Sequence, residues 1–157
     1  MNNINLEQNT EVEYNLAKQG GGILTFYVED QVYGIEILYV TDIIEIQPIT
    51  FVPRIPSYIE GVINLRGKVI PVMNVRLRFG KEKIPYDERT CIIVIEHEDT
   101  SVGVIVDRVC EVMDVMPDQV TPPPDYKSVN SNRFIKNIIK AGEDVKLLLD
   151  CQKLIFE

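Results

Sequence analysis

Apolar and polar residues alternate over several short stretches of this chain, and that period of two is typical of strands with one buried face. The first stretch is Ile23–Val28, in which Leu24, Phe26 and Val28 define the apolar side. A turn then leads into a second run, Val32–Ile35. The pattern therefore predicts that the folded part of the chain begins with two strands joined by a turn.

One segment has a helical period instead. In Glu36–Glu45 the apolar residues Ile37, Val40, Ile43 and Ile44 recur at spacings of three and four. This spacing predicts a short amphipathic helix. The prolines that follow it predict an irregular connection, because each ring removes a backbone donor and restricts the preceding residue.

The rest of the chain contains paired β-rich runs separated by turn residues, which predict hairpins. Gly67, between the first pair of runs, can supply the positive φ of a tight reversal. The predicted pairs are 59–65 with 69–75, 91–95 with 102–106, and 134–139 with 145–149, with one further strand at 109–115 and a closing helix at 150–156. About nine or ten short strands joined by short turns indicate barrels or a sandwich.

The ends of the domain follow from the same pattern. Residues 1–22 are polar and finish in three glycines, so they are predicted to form a flexible tail, and residues 23–157 to form one domain. Pro122–Pro124 predicts a stiff connector, and Asp125–Asn132 an exposed loop.

Charge narrows the range of partners. The chain has 16 Lys and Arg against 24 Asp and Glu, a formal net charge of -8, which disfavours nucleic acid and anionic lipid. No apolar run is long enough to span a bilayer, and the polar start is unlike a signal peptide. These features predict a cytoplasmic protein that does not insert into the membrane.

Catalytic constellations are missing from the sequence. His97, the single histidine, is expected to be a solvated side chain at a turn tip, and acidic pairs such as Glu98-Asp99 fall in predicted turns. The run Gly61–Lys68 has the wrong glycine spacing for a phosphate loop, and Val69 stands where that motif needs Ser or Thr. The sequence therefore predicts no enzyme, no cofactor and no metal site.

The three cysteines are odd in number and widely separated, so they fit neither a disulfide framework nor a metal knuckle. They are expected to be buried small hydrophobes in a reducing compartment. They are Cys91, Cys110 and Cys151.

The same segments resemble the CheW family of chemotaxis coupling proteins, from about Ile23 to Ile155. The most specific block is Gly61–Gly67 running into Val69–Val72. Further matching segments are Tyr33–Ile35, Val40–Ile43, Val52-Pro53 with Pro56, Arg76–Phe79, Val102–Val109, Glu111-Val112, Pro122–Pro124 and Leu147–Asp150. Asn137 departs from the family pattern, since a glycine is common there. The tripeptide Met73–Val75 also departs from it, since the family usually has Ile-Asp-Leu or Val-Asp-Leu at these positions.

The resemblance implies an all-β fold of two small five-stranded SH3-like barrels packed over a shared hydrophobic seam, with one or two short helices. It also implies two partners, the regulatory domain of the histidine kinase CheA and the cytoplasmic tip of methyl-accepting chemoreceptors. Such a protein is recruited to membrane-associated chemoreceptor arrays. Carried over position by position, the receptor-binding groove is Val40, Asp42, Ile43, Gly61, Arg66, Val109 and Val112.

Other roles stay open for these residues and for the chain. Arg66 could be an ordinary solvated turn residue. The four apolar groove positions could simply pack in the core. The chain could also be part of a larger coupling protein that carries a receiver domain, or a small hydrolytic or ligand-binding barrel that uses acidic loop residues. A deep cavity with converging Asp or Glu would favour that last alternative.

Overall fold

The computed structural model describes residues 21–123 and 133–157. The predicted tail lies outside these residues except for Gly21 and Gly22, and so do Pro124 and the predicted loop Asp125–Asn132. The strands are β1 (Ile23–Val28), β2 (Gln31–Glu36), β3 (Val40–Glu45), β4 (Ile59–Leu65), β5 (Lys68–Asn74), β6 (Cys91–His97), β7 (Thr100–Val106), β8 (Arg108–Met113), β9 (Val120–Thr121), β10 (Ile135–Ala141) and β11 (Asp144–Leu149). Short helical segments are Ile37–Tyr39, Val75–Arg78, Pro117–Gln119 and Cys151–Phe156.

These strands form two sheets, which confirms the predicted all-β fold. The first sheet has the order β8-β1-β2-β11-β10-β9, and the second has the order β3-β6-β7-β5-β4. Neighbours are antiparallel except for β2 with β11 and β5 with β7. The resemblance implied five strands in each barrel, and the first sheet contains one more, the two-residue β9.

The chain runs through the same series of elements twice. Each series is a hairpin (β1-β2 or β6-β7), an edge strand that crosses to the other sheet (β3 or β8), a second hairpin and a short helix. Each sheet therefore takes one hairpin from one half of the chain and its other strands from the other half. The pairing registers make Ile23 equivalent to Ile92 and Gly34 equivalent to Gly103.

Both sheets close on themselves in the same way. After β3 the chain wraps round to the opposite edge of the second sheet, where the backbones of Thr50 and Val62 exchange two hydrogen bonds of 2.9 Å. After β8 it wraps round the first sheet, where β9 pairs with β10. These pairings satisfy backbone groups at the edges and give each sheet the curvature of a small barrel.

The alternation of side chains supplies two kinds of core. Along β6, Ile93 and Ile95 point into a core shared by both sheets, whereas Ile92 and Val94 point into the second barrel. On the other side of the shared core, β1 contributes residues such as Phe26. The shared core is the apolar seam that the resemblance implied, and it holds the barrels together.

The predicted helix at Glu36–Glu45 is wrong. Only Ile37–Tyr39 is helical, as a single 3₁₀ turn, and Val40–Glu45 is strand β3. A register shift between Val40 and Asp42 places Val40 and Ile43 on the same face of the strand. A bulged strand can imitate a helical spacing in this way, and the β-branched residues of the segment favour the strand.

The predicted hairpins are confirmed, and each turns through two residues. Arg66 and Gly67 have φ values of 54° and 85°, and Glu98 and Asp99 have values of 52° and 63°. Positive φ at both turn positions of these two hairpins matches the twist of the flanking strands, whereas the β10-β11 turn has positive φ at Gly142 alone. The predicted closing helix is also confirmed, as Cys151–Phe156.

Two expectations about single side chains are wrong. His97 belongs to β6, since the turn starts one residue later, and its ring packs 5.0 Å from the ring of Tyr39 with a side-chain exposure of 16%. Cys110 is exposed rather than buried, because it lies on the outward side of the edge strand β8. Among the described residues, none of the helices has both the length and the apolar content needed to cross a bilayer.

Candidate functional site

The residues of the predicted groove lie mainly on the two strands that cross between the sheets. Val40, Asp42 and Ile43 are on β3, the edge of the second sheet, and Val109 and Val112 are on β8, the edge of the first. In the pairing registers Val40 is equivalent to Val109 and Ile43 to Val112. The apolar groove positions are therefore two matched pairs, one on each crossing strand.

These four side chains differ in how much a partner could reach. Val40 is 2% exposed and belongs to the shared core, so its packing role is clear. Ile43, Val109 and Val112 are half-buried and pack against the same core. A half-buried apolar strip can accept the apolar face of a helix while staying attached to the fold.

Asp42 and Arg66 meet although they are far apart in sequence. Arg66 Nη1 lies 3.0 Å from Asp42 Oδ1 and 3.2 Å from Oδ2. Asp42 is on the edge strand β3 and Arg66 follows the opposite edge strand β4, so the pair bridges the closure of the second barrel. The Arg66 side chain is 73% exposed, which leaves most of its N–H groups accessible to a partner.

The backbone conformation at position 61 requires a glycine. Its φ is +149°, and a Cβ at this position would collide with the carbonyl oxygen of Thr50. The bridge between Thr50 and Val62 closes the barrel at this point, so the absent side chain permits that closure. Gly61 therefore shapes the barrel wall where the Thr50 backbone approaches β4.

The outer face of the β4-β5 hairpin is a second apolar surface, which was not predicted from the sequence. The interior of the second barrel takes Ile63 and Ile70, so their neighbours Val62, Val69 and Pro71 lie on the outer face of the β4-β5 hairpin. Val69 is 65% exposed. The predicted hairpin already contained the signal, because two adjacent strands with apolar residues on both faces leave one apolar face to be covered.

A cavity beside β1 and the start of β8 tests the enzymatic alternative. It has a volume of about 320 Å³, and its acidic lining residues are Glu29, Asp87 and Asp107. Asp107 accepts two hydrogen bonds from Arg76, and Glu29 lies 3.0 Å from the ammonium of Lys81.

Asp87, the third acidic residue of this cavity, is not suited to proton transfer. Its carboxylate accepts hydrogen bonds from the backbone N–H groups of Arg89 and Thr90, and these lower its pKa. A general acid needs a raised pKa. The three acids therefore hold loops together, and the arrangement does not favour the enzymatic alternative.

Two of the thiols are also unsuited to chemistry. Burial raises the pKa of Cys91 to about 11 and that of Cys151 to about 12. Both stay protonated at neutral pH, and it is the thiolate that acts as nucleophile or metal ligand. They behave as small apolar side chains, as expected.

Two interlocked barrels over one shared core, with half-buried apolar side chains on the crossing strands and an exposed apolar face on the β4-β5 hairpin, define an all-β fold of the scaffold type. A family model described as the CheW-like domain matches residues 22–157. The chain belongs to the CheW family.

Relatives and a solved structure agree with this assignment. The Chemotaxis protein CheW of Klebsiella aerogenes is 32% identical, over 87% of this chain and 82% of its own length. The Chemotaxis protein CheW of Thermotoga maritima is 34% identical, over 86% of this chain and 87% of its own. The scaffolding protein TtCheW of Thermoanaerobacter tengcongensis superposes with a TM-score of 0.80 at 31% identity, covering 88% of this chain and 94% of that one.

Proposed function

We propose that this protein is a non-catalytic adaptor that couples methyl-accepting chemoreceptors to the histidine kinase CheA. The observation that carries the proposal is that half-buried apolar residues of β3 and β8 pack against the shared core, while Val69 is exposed on the outer face of the β4-β5 hairpin. These two sets of residues offer two separate surfaces for partners. Membership of the CheW family supports the adaptor role.

The receptor tip is assigned to the groove. A helical hairpin presents an apolar stripe that fits the half-buried strip of Ile43, Val109 and Val112. The exposed Arg66 can break its ion pair with Asp42, or keep it and donate its remaining N–H groups to carbonyls or carboxylates of the incoming helix. The exchange is inexpensive, because an exposed ion pair contributes only about 0–1 kcal/mol to stability.

The regulatory domain of the kinase is assigned to the outer face of the β4-β5 hairpin. Val69 is largely exposed there, and Val62 and Pro71 extend the apolar surface across the two strands. An exposed apolar surface of this kind, next to the polar Asn64 that pairs with Val69, is typical of a protein-protein contact.

The proposed mechanism is simultaneous binding. One protein molecule that holds a kinase domain and a receptor tip raises the effective concentration of the kinase at the receptor, without chemistry of its own. Receptor signals then reach the kinase if the bound geometry differs in free energy between active and inactive states. The adaptor would therefore be located at membrane-associated receptor arrays.

A competition titration tests this proposal. The full chain is saturated with the kinase regulatory domain and then titrated with a receptor-tip fragment, and the affinity for the tip is compared with that of the free chain. We expect both partners to bind together. Mutual displacement would contradict the proposal, because a single shared surface cannot couple two proteins.

Two variants assign the surfaces. Arg66→Ala should weaken binding of the receptor tip and leave kinase binding unchanged, whereas Val69→Glu should do the reverse. Val145→Glu is the matched control for the second variant, since Val145 is exposed at the equivalent position of the β10-β11 hairpin. Loss of kinase binding with Val145→Glu but not with Val69→Glu would show that the hairpin face was assigned to the wrong barrel.

A further inference from the structure

Asp107 is the single residue between β7 of the second sheet and β8 of the first. Val106 before it is 1% exposed in the shared core, and Arg108 after it starts the groove strand. The backbone N–H of Asp107 donates to the carbonyl of Tyr27 at 3.1 Å. The course of β8 is therefore set at this residue.

The side chain of Asp107 is held from two directions. Arg76 donates through Nε to Oδ1 at 2.8 Å and through Nη2 to Oδ2 at 2.6 Å, and the backbone N–H of Glu29 donates to Oδ2 at 2.7 Å. The Arg76 and Asp107 side chains are 13% and 22% exposed. A two-pronged pair that is largely shielded from water fixes both distance and orientation.

The fork of Arg76 joins two distant parts of the molecule. Arg76 lies on the helix Val75–Arg78, which follows β5, and Glu29 lies in the turn between β1 and β2. Glu29 also lies 3.6 Å from Arg76 and 3.0 Å from Lys81. Asp107 therefore connects the second barrel, the turn of the first barrel and the start of β8.

The other crossing is built differently. By the pairing register, Leu38 is equivalent to Asp107, and it lies in the 3₁₀ turn that leads into β3. Leu38 is 48% exposed and cannot form an ion pair. One wall of the groove is thus fixed by a charged clamp, whereas the start of the other wall depends on the buried neighbour Ile37.

We propose that Asp107 and Arg76 are positioning residues for receptor binding, which hold β8 so that Val109 and Val112 face the groove. Neither residue is required to touch the receptor, and neither belongs to the hairpin face assigned to the kinase. This inference rests on the proposed function, because it assigns the receptor tip to the groove.

Purified full-length variants test the role. Asp107→Asn keeps the size of the side chain and removes its charge, and Arg76→Lys keeps the charge and removes the fork. Lys83→Met is the control, because it removes another ion pair, 2.6 Å from Glu60, whose two residues lie outside β8. The measurements are affinities for a receptor-tip fragment and for the kinase regulatory domain, and amide hydrogen exchange along β8.

Loss of a partly buried charge-assisted pair changes the equilibrium constant that depends on it by about tenfold. Asp107→Asn should weaken receptor binding about tenfold and speed exchange in β8, with kinase affinity unchanged. Arg76→Lys should have a smaller effect in the same direction, and Lys83→Met none.

Three results would overturn the inference. The first is unchanged receptor affinity in Asp107→Asn despite faster exchange, which would indicate a purely structural role. The second is an equal loss of both affinities, which would indicate general destabilisation. The third is unchanged exchange in β8. If the wild-type chain itself failed to bind the receptor tip, the proposed function would fall, and this inference with it.

Discussion

Apart from β9, the two barrels of this protein share one strand order and matching registers, yet they differ at positions around the predicted groove. At the same bulge, the second barrel has Gly61 and the first has Asn137. At the turn that follows, the second has Arg66 and the first has Gly142. Asp42, which pairs with Arg66, is equivalent to the exposed Glu111.

The comparison separates two kinds of requirement. Features that both barrels keep, such as the paired glycines Gly34 and Gly103, serve the fold. Features that only one barrel has are candidates for binding, unless the backbone explains them, as it does for Gly61. Substitutions at matched positions can therefore tell the two kinds apart.

The largest difference is expected at the bulge. Gly61→Ala should destabilise the protein by about 3 kcal/mol, because the added Cβ meets the Thr50 carbonyl at a backbone φ of +149°. Asn137→Ala at the equivalent position should cost less than about 1 kcal/mol, since within residues 21–123 and 133–157 its amide donates one long bond, 3.4 Å to Thr121. Urea unfolding of both variants measures this contrast, and equal losses would contradict it.

The next largest effect is expected at the paired glycines. In Gly103→Ala the new Cβ would lie 2.7 Å from Ile92 Cγ2, and in Gly34→Ala 2.9 Å from Ile23 Cδ1. Cγ2 is attached close to the backbone whereas Cδ1 is the mobile end of its side chain, so we expect about 2 kcal/mol for Gly103→Ala and about half that for Gly34→Ala.

A double variant checks the reason for this ranking. Ile23→Val removes Cδ1 and should therefore reduce the additional cost of Gly34→Ala. The free energies of unfolding of the two single variants and the double variant give the coupling directly. Strictly additive costs would show that the clash with Ile23 is not the cause.

A smaller effect is expected at the start of the last helix. Cys151 is 4% exposed and is equivalent to the buried Val75 of the other half. Cys151→Val should change stability by less than about 1 kcal/mol, because the burial that raises the pKa of this thiol to about 12 makes it a small apolar side chain. Thermal unfolding provides the measurement, and a larger loss would point to a specific role for the sulfur.

The smallest effect on stability is expected for Arg66. Arg66→Ala removes an ion pair whose arginine is 73% exposed, so the free energy of unfolding should change by less than about 0.5 kcal/mol. Its effect on receptor-tip binding should be much larger. A stability loss that accounts for the whole loss of binding would remove Arg66 from the docking surface.

Local patterns predicted much of this fold. The alternation in Ile23–Val28 and the turn at Arg66-Gly67 fixed strands and hairpins, because those signals depend on neighbouring residues. The bulge in β3 was misread as a helix, since a register shift of one residue imitates helical spacing. The crossing of β3 and β8 could not be predicted, because it depends on contacts between distant halves of the chain.

The site was predictable only in part. Two features of the site could be seen only in the closed barrels. One is that Ile43 and Val112 occupy matched positions on β3 and β8, and the other is the ion pair between Asp42 and Arg66. One signal of the doubled architecture was present in the sequence, because Gly34 and Val40 recur as Gly103 and Val109 at a constant spacing. Recognising it would have paired the two walls of the groove.

Reconstitution is the most direct measurement of the central claim. Purified kinase and receptor fragments are mixed with and without this protein, and kinase autophosphorylation is followed over time. We predict that receptor control of the phosphorylation rate requires the protein, and that neither Arg66→Ala nor Val69→Glu supports it fully. Receptor control that is equally strong without the protein would contradict the account.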